Sequence, residues 1–264
     1  MNFVVGTDLA HIVGKSIVAA RKHRTLGNID VKLGAIMVVG TISGVEGGAQ
    51  LIQWLKGKAR LDWVVGPTFI VVLLGIVAFM SWEGWTTLRK QRRDRAHQGP
   101  VPGQHPAQAD HSTMEFISRA VHRISLPPHV SLPASGIASI SVWAIVLVAF
   151  IGGFFSGFLG GGAGYIRMPC LIYLLGIPTH IAVGTDLFEI IISASYGTVS
   201  HALKGNVDIL IALVMHTGAA IGAQLGATLT QYFGGLRIRL AFIPLPLIGA
   251  GMMLYSLLSG HPVK

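Results

Sequence analysis

Five apolar stretches, at 31–55, 63–82, 139–156, 207–231 and 240–258, restrict what this chain can fold into. About 20 apolar residues in a helix cross the hydrocarbon core of a bilayer, and each stretch is close to that length. Two more, 4–20 and 181–203, are apolar but carry ionisable residues. Backbone in lipid must satisfy its own hydrogen bonds, which leaves helices or closed barrels. The period-two alternation of barrel strands is absent, so the expected fold is all-α, a polytopic helical bundle. Charged residues make up only 12% of the chain, against about 25% in soluble domains, and a chain immersed in lipid explains the deficit.

The formal net charge of +9 is unevenly placed. Arg89, Lys90, Arg92, Arg93, Arg95, Arg119 and Arg123 all fall in one polar segment, 86–136. That pattern fits a cytoplasmic loop under the positive-inside rule, not a nucleic-acid footprint. The segment divides the chain into 1–85, a linker at 86–136 and 137–264. Within the linker, Ser112-Thr113-Met114-Glu115 resembles a capping box opening a short amphipathic helix, which Pro127-Pro128 stops. The single cysteine, Cys170, excludes an internal disulfide and gives no sign of a thiolate metal site. No basic region precedes the first apolar residues, and Asp8, His11 and Lys15 interrupt them, unlike a signal peptide.

Residues 5–51 align without a gap onto 183–229, with 16 identities in 47 positions. Val5-Gly6-Thr7-Asp8-Leu9 matches Val183-Gly184-Thr185-Asp186-Leu187, and His23 matches His201. Gly27-Asn28-Ile29-Asp30 matches Gly205-Asn206-Val207-Asp208, while Gly40, Gly44 and Gly48 match Gly218, Gly222 and Gly226. Shared greasiness does not align polar and glycine positions, so the reading is two repeats around a linker, as in many secondary transporters. The second repeat begins near Ser139, about 40 residues before its Gly-Thr-Asp motif, and the first has five residues before its own. The expectation is therefore a first repeat truncated at its N-terminal side. With 86–136 cytoplasmic, Arg21–Arg24 lie inside and Lys56–Arg60 outside; a crossing by 165–177 makes the repeats inverted.

Four motifs carry possible chemistry. In 153–169, glycines at 153, 157, 160, 161, 162 and 164 oppose an unbroken helix, since each costs about 1 kcal/mol against alanine. Gly160, Gly161, Gly162 and Gly164 then offer backbone donors, and Arg167 a guanidinium, a set suited to an oxyanion. The alternative is that the glycines only allow close packing and Arg167 snorkels. The Gly-Thr-Asp motifs are read as helix openings, with Asp186 and Glu189, or Asp8 and His11, either capping or exchanging protons within the bundle. The glycines four apart are packing ladders, with Glu46 and Gln224 beside them as polar groups at membrane depth. The Gly-Asn-x-Asp motifs are interhelical turns.

The run GFFSGFLGGGAGYIRMP…GIPTHIAVGTDLFEI…HALKGNVD…GAAIGAQLGA resembles the sulfite exporter TauE/SafE family of bacterial membrane permeases. The resemblance covers 139–258 and, as the later part of a first repeat, 4–82. It implies a multi-pass inner-membrane protein of two repeats that carries sulfite, organosulfonates or related oxyanions, and no enzyme. It places the family's glycine-rich element on Gly157 and Gly160 to Gly164, and its VGT motifs on Gly6, Thr7, Gly184 and Thr185. The first repeat's glycine-rich element has no counterpart here.

The reading is a secondary carrier for a small anion. Substrate contacts are expected from Gly160, Gly161, Gly162, Gly164, Arg167, Gly184, Thr185, Gly6 and Thr7. Asp8, His11, Asp186 and Glu189 are the proton-coupling candidates, the last two repelling the anion when ionised. No metal or cofactor is expected; the partners are the solute and the bilayer, with a homo-oligomer compatible. Two alternatives stand: an uncoupled anion channel, and a membrane-embedded metal enzyme built on Asp8, His11, His180, Glu189 and His201, which lacks helical HExxH spacing.

Overall fold

A computed structural model describes residues 2–56, 61–97, 126–159, 164–203 and 205–259. The first three helices are α1 (Asn2–Thr25), α2 (Val31–Lys56) and α3 (Leu61–His97). A hairpin of β1 (His129–Leu132) and β2 (Ile137–Ser141) leads into α4 (Val142–Leu159). A short helix α5 (Gly164–Pro169) runs into a π-helical turn, Cys170–Leu174. Then follow α6 (Thr179–Ala202), α7 (Ile209–Leu229), a 3-10 turn at Thr230–Tyr232, α8 (Gly235–Phe242) and α9 (Pro244–Ser259). The fold is helical as expected, with one small antiparallel hairpin added. The amphipathic helix expected after Ser112 and the glycines Gly160 to Gly162 lie outside the described residues.

Among the described residues, four spans are long and apolar enough to cross a membrane: Val31–Leu51, Gly66–Arg89, Ile209–Tyr232 and Gly235–Tyr255. A fifth, Val142–Phe158, is apolar but shorter. On α7, Leu210 and Val214 are 76% and 73% exposed. Side chains of this kind along a whole helix face suit lipid and not water.

Two expected boundaries shift. α3 runs through the basic residues to His97, beyond the break expected at 85. No glycine or proline follows Gly84 until Gly99, and the Arg, Lys, Gln and Ala between favour helix. α6 begins at Thr179 after Pro178, whose ψ of 136° is outside the helical region. Asp186 and Glu189 are therefore interior residues and not the N-cap and N3 pair. Asp8, inside α1, is likewise no cap.

The two Gly-Asn-x-Asp turns form as read. Gly27 and Gly205 sit at φ 71° and 69°, where a side chain is strained. The following amides, Asn28 and Asn206, each donate back to the carbonyls of His23 and His201 at 2.9 Å, closing α1 and α6 in the Schellman manner. Asp30 Oδ1 accepts from Leu33 N at 3.1 Å and Asp208 Oδ1 from Ile211 N at 3.0 Å, capping α2 and α7.

The matched segments meet by exchange. The Thr185 hydroxyl accepts from Asp30 N at 2.9 Å, and the Thr7 hydroxyl accepts from Asp208 N at 2.9 Å. Gly184 lies under the Asn28 carbonyl and beside His23; Gly6 lies under the Asn206 carbonyl and beside His201. A Cβ at either glycine would stand 2.1 Å from that carbonyl oxygen. Since Gly6 faces His201, Leu9 faces Gly197 and Gly184 faces His23, α1 and α6 run antiparallel.

α2 and α4 pack closely and in the same direction. Ideal Cβ positions at Gly40, Gly44 and Gly48 fall 2.4, 2.3 and 2.2 Å from the carbonyl oxygens of Val146, Phe150 and Phe154. Gly153 and Gly157 return the contact against Thr41 and Val45. This is small-xxx-small packing, in which only glycine lets the backbones approach. The main apolar cluster joins Leu33 and Met37 of α2, Leu132 and Ile140 of the hairpin, Ile145 of α4, Leu171 and Leu175, Ile177, and Ala182 of α6. The hairpin is pinned to the start of α2 by Ser135 Oγ, which donates to Asp30 Oδ2 at 2.8 Å.

Candidate functional site

α5 is six residues long and lies against α3, α4 and α6. Its Arg167 is 1% exposed, in space left by Gly152 of α4, where a Cβ would stand 3.0 Å from the arginine Cβ. A guanidinium buried this deeply has to be paired, since the desolvation penalty is several kcal/mol. Two carboxylates on α6 meet it: Nε donates to Asp186 Oδ1, and Nη1 lies 2.5 Å from Glu189 Oε2. Nη1 also donates to Thr41 Oγ1 of α2 at 3.2 Å. Asp186 and Glu189 fall on one face of α6 because they are three residues apart, and the antiparallel contact with α1 leaves that face toward α2 and α5. Glu189 is wholly buried and stands at the middle of its 24-residue helix.

The cluster holds one permanent cation and two groups that each ionise. With both ionised its net charge is −1, one proton short of neutrality. Arg167 Nη2 has no hydrogen-bond partner among the described residues. Gly164 opens α5 with nothing within 4 Å of its Cβ position.

The far end of the segment carrying Arg167 is held by a second buried network. Tyr173, in the π-turn, donates its hydroxyl to Glu83 Oε2 of α3 at 2.9 Å. Thr87 donates to Glu83 Oε1 at 2.9 Å, and Arg239 Nη1 of α8 lies 3.8 Å from the same oxygen. The Arg239 guanidinium also stands over the Tyr173 ring, 5.7 Å from its centroid, while Phe79 meets that ring edge-on at 5.0 Å. π-turns concentrate at functional sites. Here the turn follows Pro169, whose ring removes one helical donor.

Of the expected site residues, the structure unites Arg167, Asp186 and Glu189 and sets Asp8 and His11 apart from them, while Gly160 to Gly162 lie outside the described residues. Thr7 and Thr185 accept from the opposite turn through their hydroxyls, each keeping its O–H as a donor, and Gly6 and Gly184 are where that turn's backbone approaches. Asp8 and His11 form their own pair, Nδ1 to Oδ1 at 3.2 Å. From the α1–α6 contacts, Asp186 lies beside residue 21 or so of α1, thirteen residues past Asp8. At 1.5 Å per residue the two acidic groups are about 20 Å apart along the helix pair. Asp186 and Glu189 both stand against the arginine guanidinium. Glu46 and Gln224 are both exposed and outside the cluster. No group of three metal-ligating side chains occurs among the described residues.

Sequence reasoning missed Thr41, Glu83, Thr87, Tyr173 and Arg239. Glu83 and Arg239 carried a signal, charge at the edge of an apolar span. Thr41 had none; it reaches Arg167 across 126 residues of chain.

The chain matches the family model described as Sulfite exporter TauE/SafE over residues 1–253. It is 34% identical over 229 residues to the probable membrane transporter protein YunE of Bacillus subtilis (strain 168), covering 86% of this chain and 71% of that protein. The probable membrane transporter protein YdhB of the same organism is 39% identical over 89 residues, 33% of this chain and 36% of YdhB. A probable membrane transporter protein of Xylella fastidiosa (strain Temecula1 / ATCC 700964) is 34% identical over 91 residues, 34% of this chain and 35% of the relative. The chain thus aligns over less than three-quarters of YunE and about a third of the other two. No solved structure matches it.

Proposed function

This chain belongs to the sulfite exporter TauE/SafE family and is a membrane transporter rather than an enzyme; from that premise we propose that it is a multi-pass inner-membrane carrier of a small sulfur oxyanion or organosulfonate, coupled to protons at Arg167, Asp186 and Glu189. The observation that carries the reading is a fully buried guanidinium held by two carboxylates on one helix face. An oxyanion and a carboxylate present the same acceptor geometry to an arginine fork. The solute therefore competes with Asp186 and Glu189 for one cation. In a low-dielectric site, three anionic groups around one guanidinium are strongly disfavoured. Protonating one carboxylate removes its claim on Arg167 and lets the solute take its place. Loading the anion and loading the proton then become one event, and both leave together. Arg167 Nη2, without a partner among the described residues and close in sequence after Gly160 to Gly164, is where the solute first engages.

The reciprocal contacts of Thr7 with Asp208 and Thr185 with Asp30 support a two-fold relation between the repeats. α1 and α6 are antiparallel, so an axis relating them is perpendicular to both helices. If the helices cross the bilayer, that axis lies in its plane and the repeats are inverted, which gives alternating access a symmetric basis.

The test is flux of a radiolabelled sulfonate into proteoliposomes containing the full chain, with a pH dye reporting protons. Arg167→Gln is expected to abolish anion flux, and Glu189→Gln to leave anion flux without accompanying protons. Undiminished anion flux in Arg167→Gln refutes the assignment. Flux that ignores an imposed proton gradient in the unmodified chain favours an uncoupled channel.

A further inference from the structure

We propose that Tyr173 is a positioning residue for Arg167: its hydroxyl, held by Glu83 with the Arg239 guanidinium over the ring, fixes how far the α5 arginine reaches toward Asp186, Glu189 and the solute. For the solute the inference rests on the transport reading above; for the two carboxylates it rests on geometry. The helix that carries Arg167 has little to hold it in place by itself. α5 spans six residues, Gly164–Pro169, far below the about 12 that an isolated helix needs. A Cβ added at its first residue, Gly164, would meet nothing within 4 Å, and Pro169 has no N–H to give. The chain then enters the π-turn Cys170–Leu174, where Leu171, Ile172 and Tyr173 are buried. Tyr173 follows Arg167 by six residues, roughly 9 Å at the helical rise, and anchors that end.

The anchor is built from groups that water does not reach: Glu83, Tyr173 and Arg239 are each at most 2% exposed. Glu83 accepts at both oxygens, from Tyr173 and from Thr87, each at 2.9 Å, which fixes the plane of its carboxylate. α3 and α8 are drawn together at the adjoining pair as well, since a Cβ at Gly84 would stand 2.5 Å from Leu240 Cδ2. Glu83 and Arg239 offset one another in charge, whereas the Arg167 cluster is one proton short of neutrality. The network at Tyr173 therefore has no need of a proton and stays put while the other cluster titrates. A buried ion pair adds little net stability over apolar packing; this one gives the tyrosine a single place to stand. Binding groups have to be held within about 0.5 Å to act together, and α5 supplies no such restraint from its own length.

The test compares two variants of the full chain. Tyr173→Phe removes the hydroxyl and keeps the ring against Arg239 and Phe79. Glu83→Gln keeps an acceptor oxygen for that hydroxyl and removes the charge that Arg239 answers. In proteoliposomes Tyr173→Phe is expected to raise the KM of sulfonate flux about tenfold with Vmax little changed, while Glu83→Gln lowers Tm and leaves KM within about twofold. KM then follows the tyrosine's bond and not the stability of the chain. A readout without solute is the carboxyl infrared band that Glu189→Gln removes; the charged groups beside Glu189 are Arg167 and Asp186. The pH at which this band is half lost should move by about one unit in Tyr173→Phe and stay in place in Glu83→Gln. An unmoved band in Tyr173→Phe, or a KM that rises in both variants in step with lost stability, overturns the proposal. A moved band with unchanged KM upholds the placement of Arg167 by Tyr173 and refutes instead the transport role given to that arginine.

Discussion

Replacing Glu189 by glutamine changes the charge of the buried cluster without changing its shape. The amide keeps one oxygen that can accept from Arg167 Nη1, 2.5 Å away in the unmodified chain, and the site goes from two ionisable partners to one. A solute anion on the same guanidinium would lie roughly 5 Å from the Glu189 carboxylate. At an effective dielectric near 20, that repulsion is about 3 kcal/mol, on the order of a hundredfold in affinity. The unmodified carrier avoids it only by taking up a proton, so its apparent KM should fall as pH falls. Glu189→Gln has no such penalty to avoid. Its KM at alkaline pH should be about ten- to a hundredfold lower than that of the unmodified chain, and flat with pH. The assay uses a permanently ionised sulfonate, so that the solute itself does not titrate, with proton movement followed in the same vesicles. A variant that keeps the original pH slope and still carries protons with the anion would refute the role given to Glu189.

Three further outcomes follow from the packing. Arg167→Met should destabilise the chain by about 3–5 kcal/mol, because it leaves two buried carboxylates without a cation; thermal unfolding in detergent should report this as a lower Tm, partly restored when Asp186→Asn is added. Gly184→Ala should unfold the contact with the Asn28 carbonyl, which lies 2.1 Å from the new Cβ, and cost about 1–3 kcal/mol; Thr185→Val, which removes only the bond to Asp30 N, should cost about 1 kcal/mol. Glu83→Ala should strip Thr87 and Tyr173 of their acceptor and leave Arg239 without its carboxylate, lowering Tm by more than Glu83→Gln does.

Much of the local structure could be read from the residues. The apolar stretches at 31–55, 63–82, 207–231 and 240–258 correspond to four spans of membrane length, and glycine at 27 and 205 with aspartate at 30 and 208 marked the turns. Gly40, Gly44 and Gly48 announced a close helix contact. These signals are short-range: a cap acts across three residues, a small-xxx-small ladder across four, and lipid demands only that each segment be apolar and helical. Where a signal was weak locally, the reading slipped. The polar start of α6 from Thr179 looked like loop before the Asp186 motif, and the charged end of α3 looked like linker.

What the residue order could not settle is which segments face one another. Arg167 reads equally as an anion site or a snorkelling side chain until α5 is placed against α6, where Asp186 and Glu189 take hold of it. The Thr7 and Thr185 hydroxyls meet turns 201 and 155 residues away because α1 and α6 run antiparallel. The chain by itself determined that it lives in a bilayer and that it is helical, because both follow from the chemistry of neighbouring residues. The tertiary structure alone decided the charge pairing at the site, because a buried ion's partner depends on how helices cross, and no local pattern encodes a crossing.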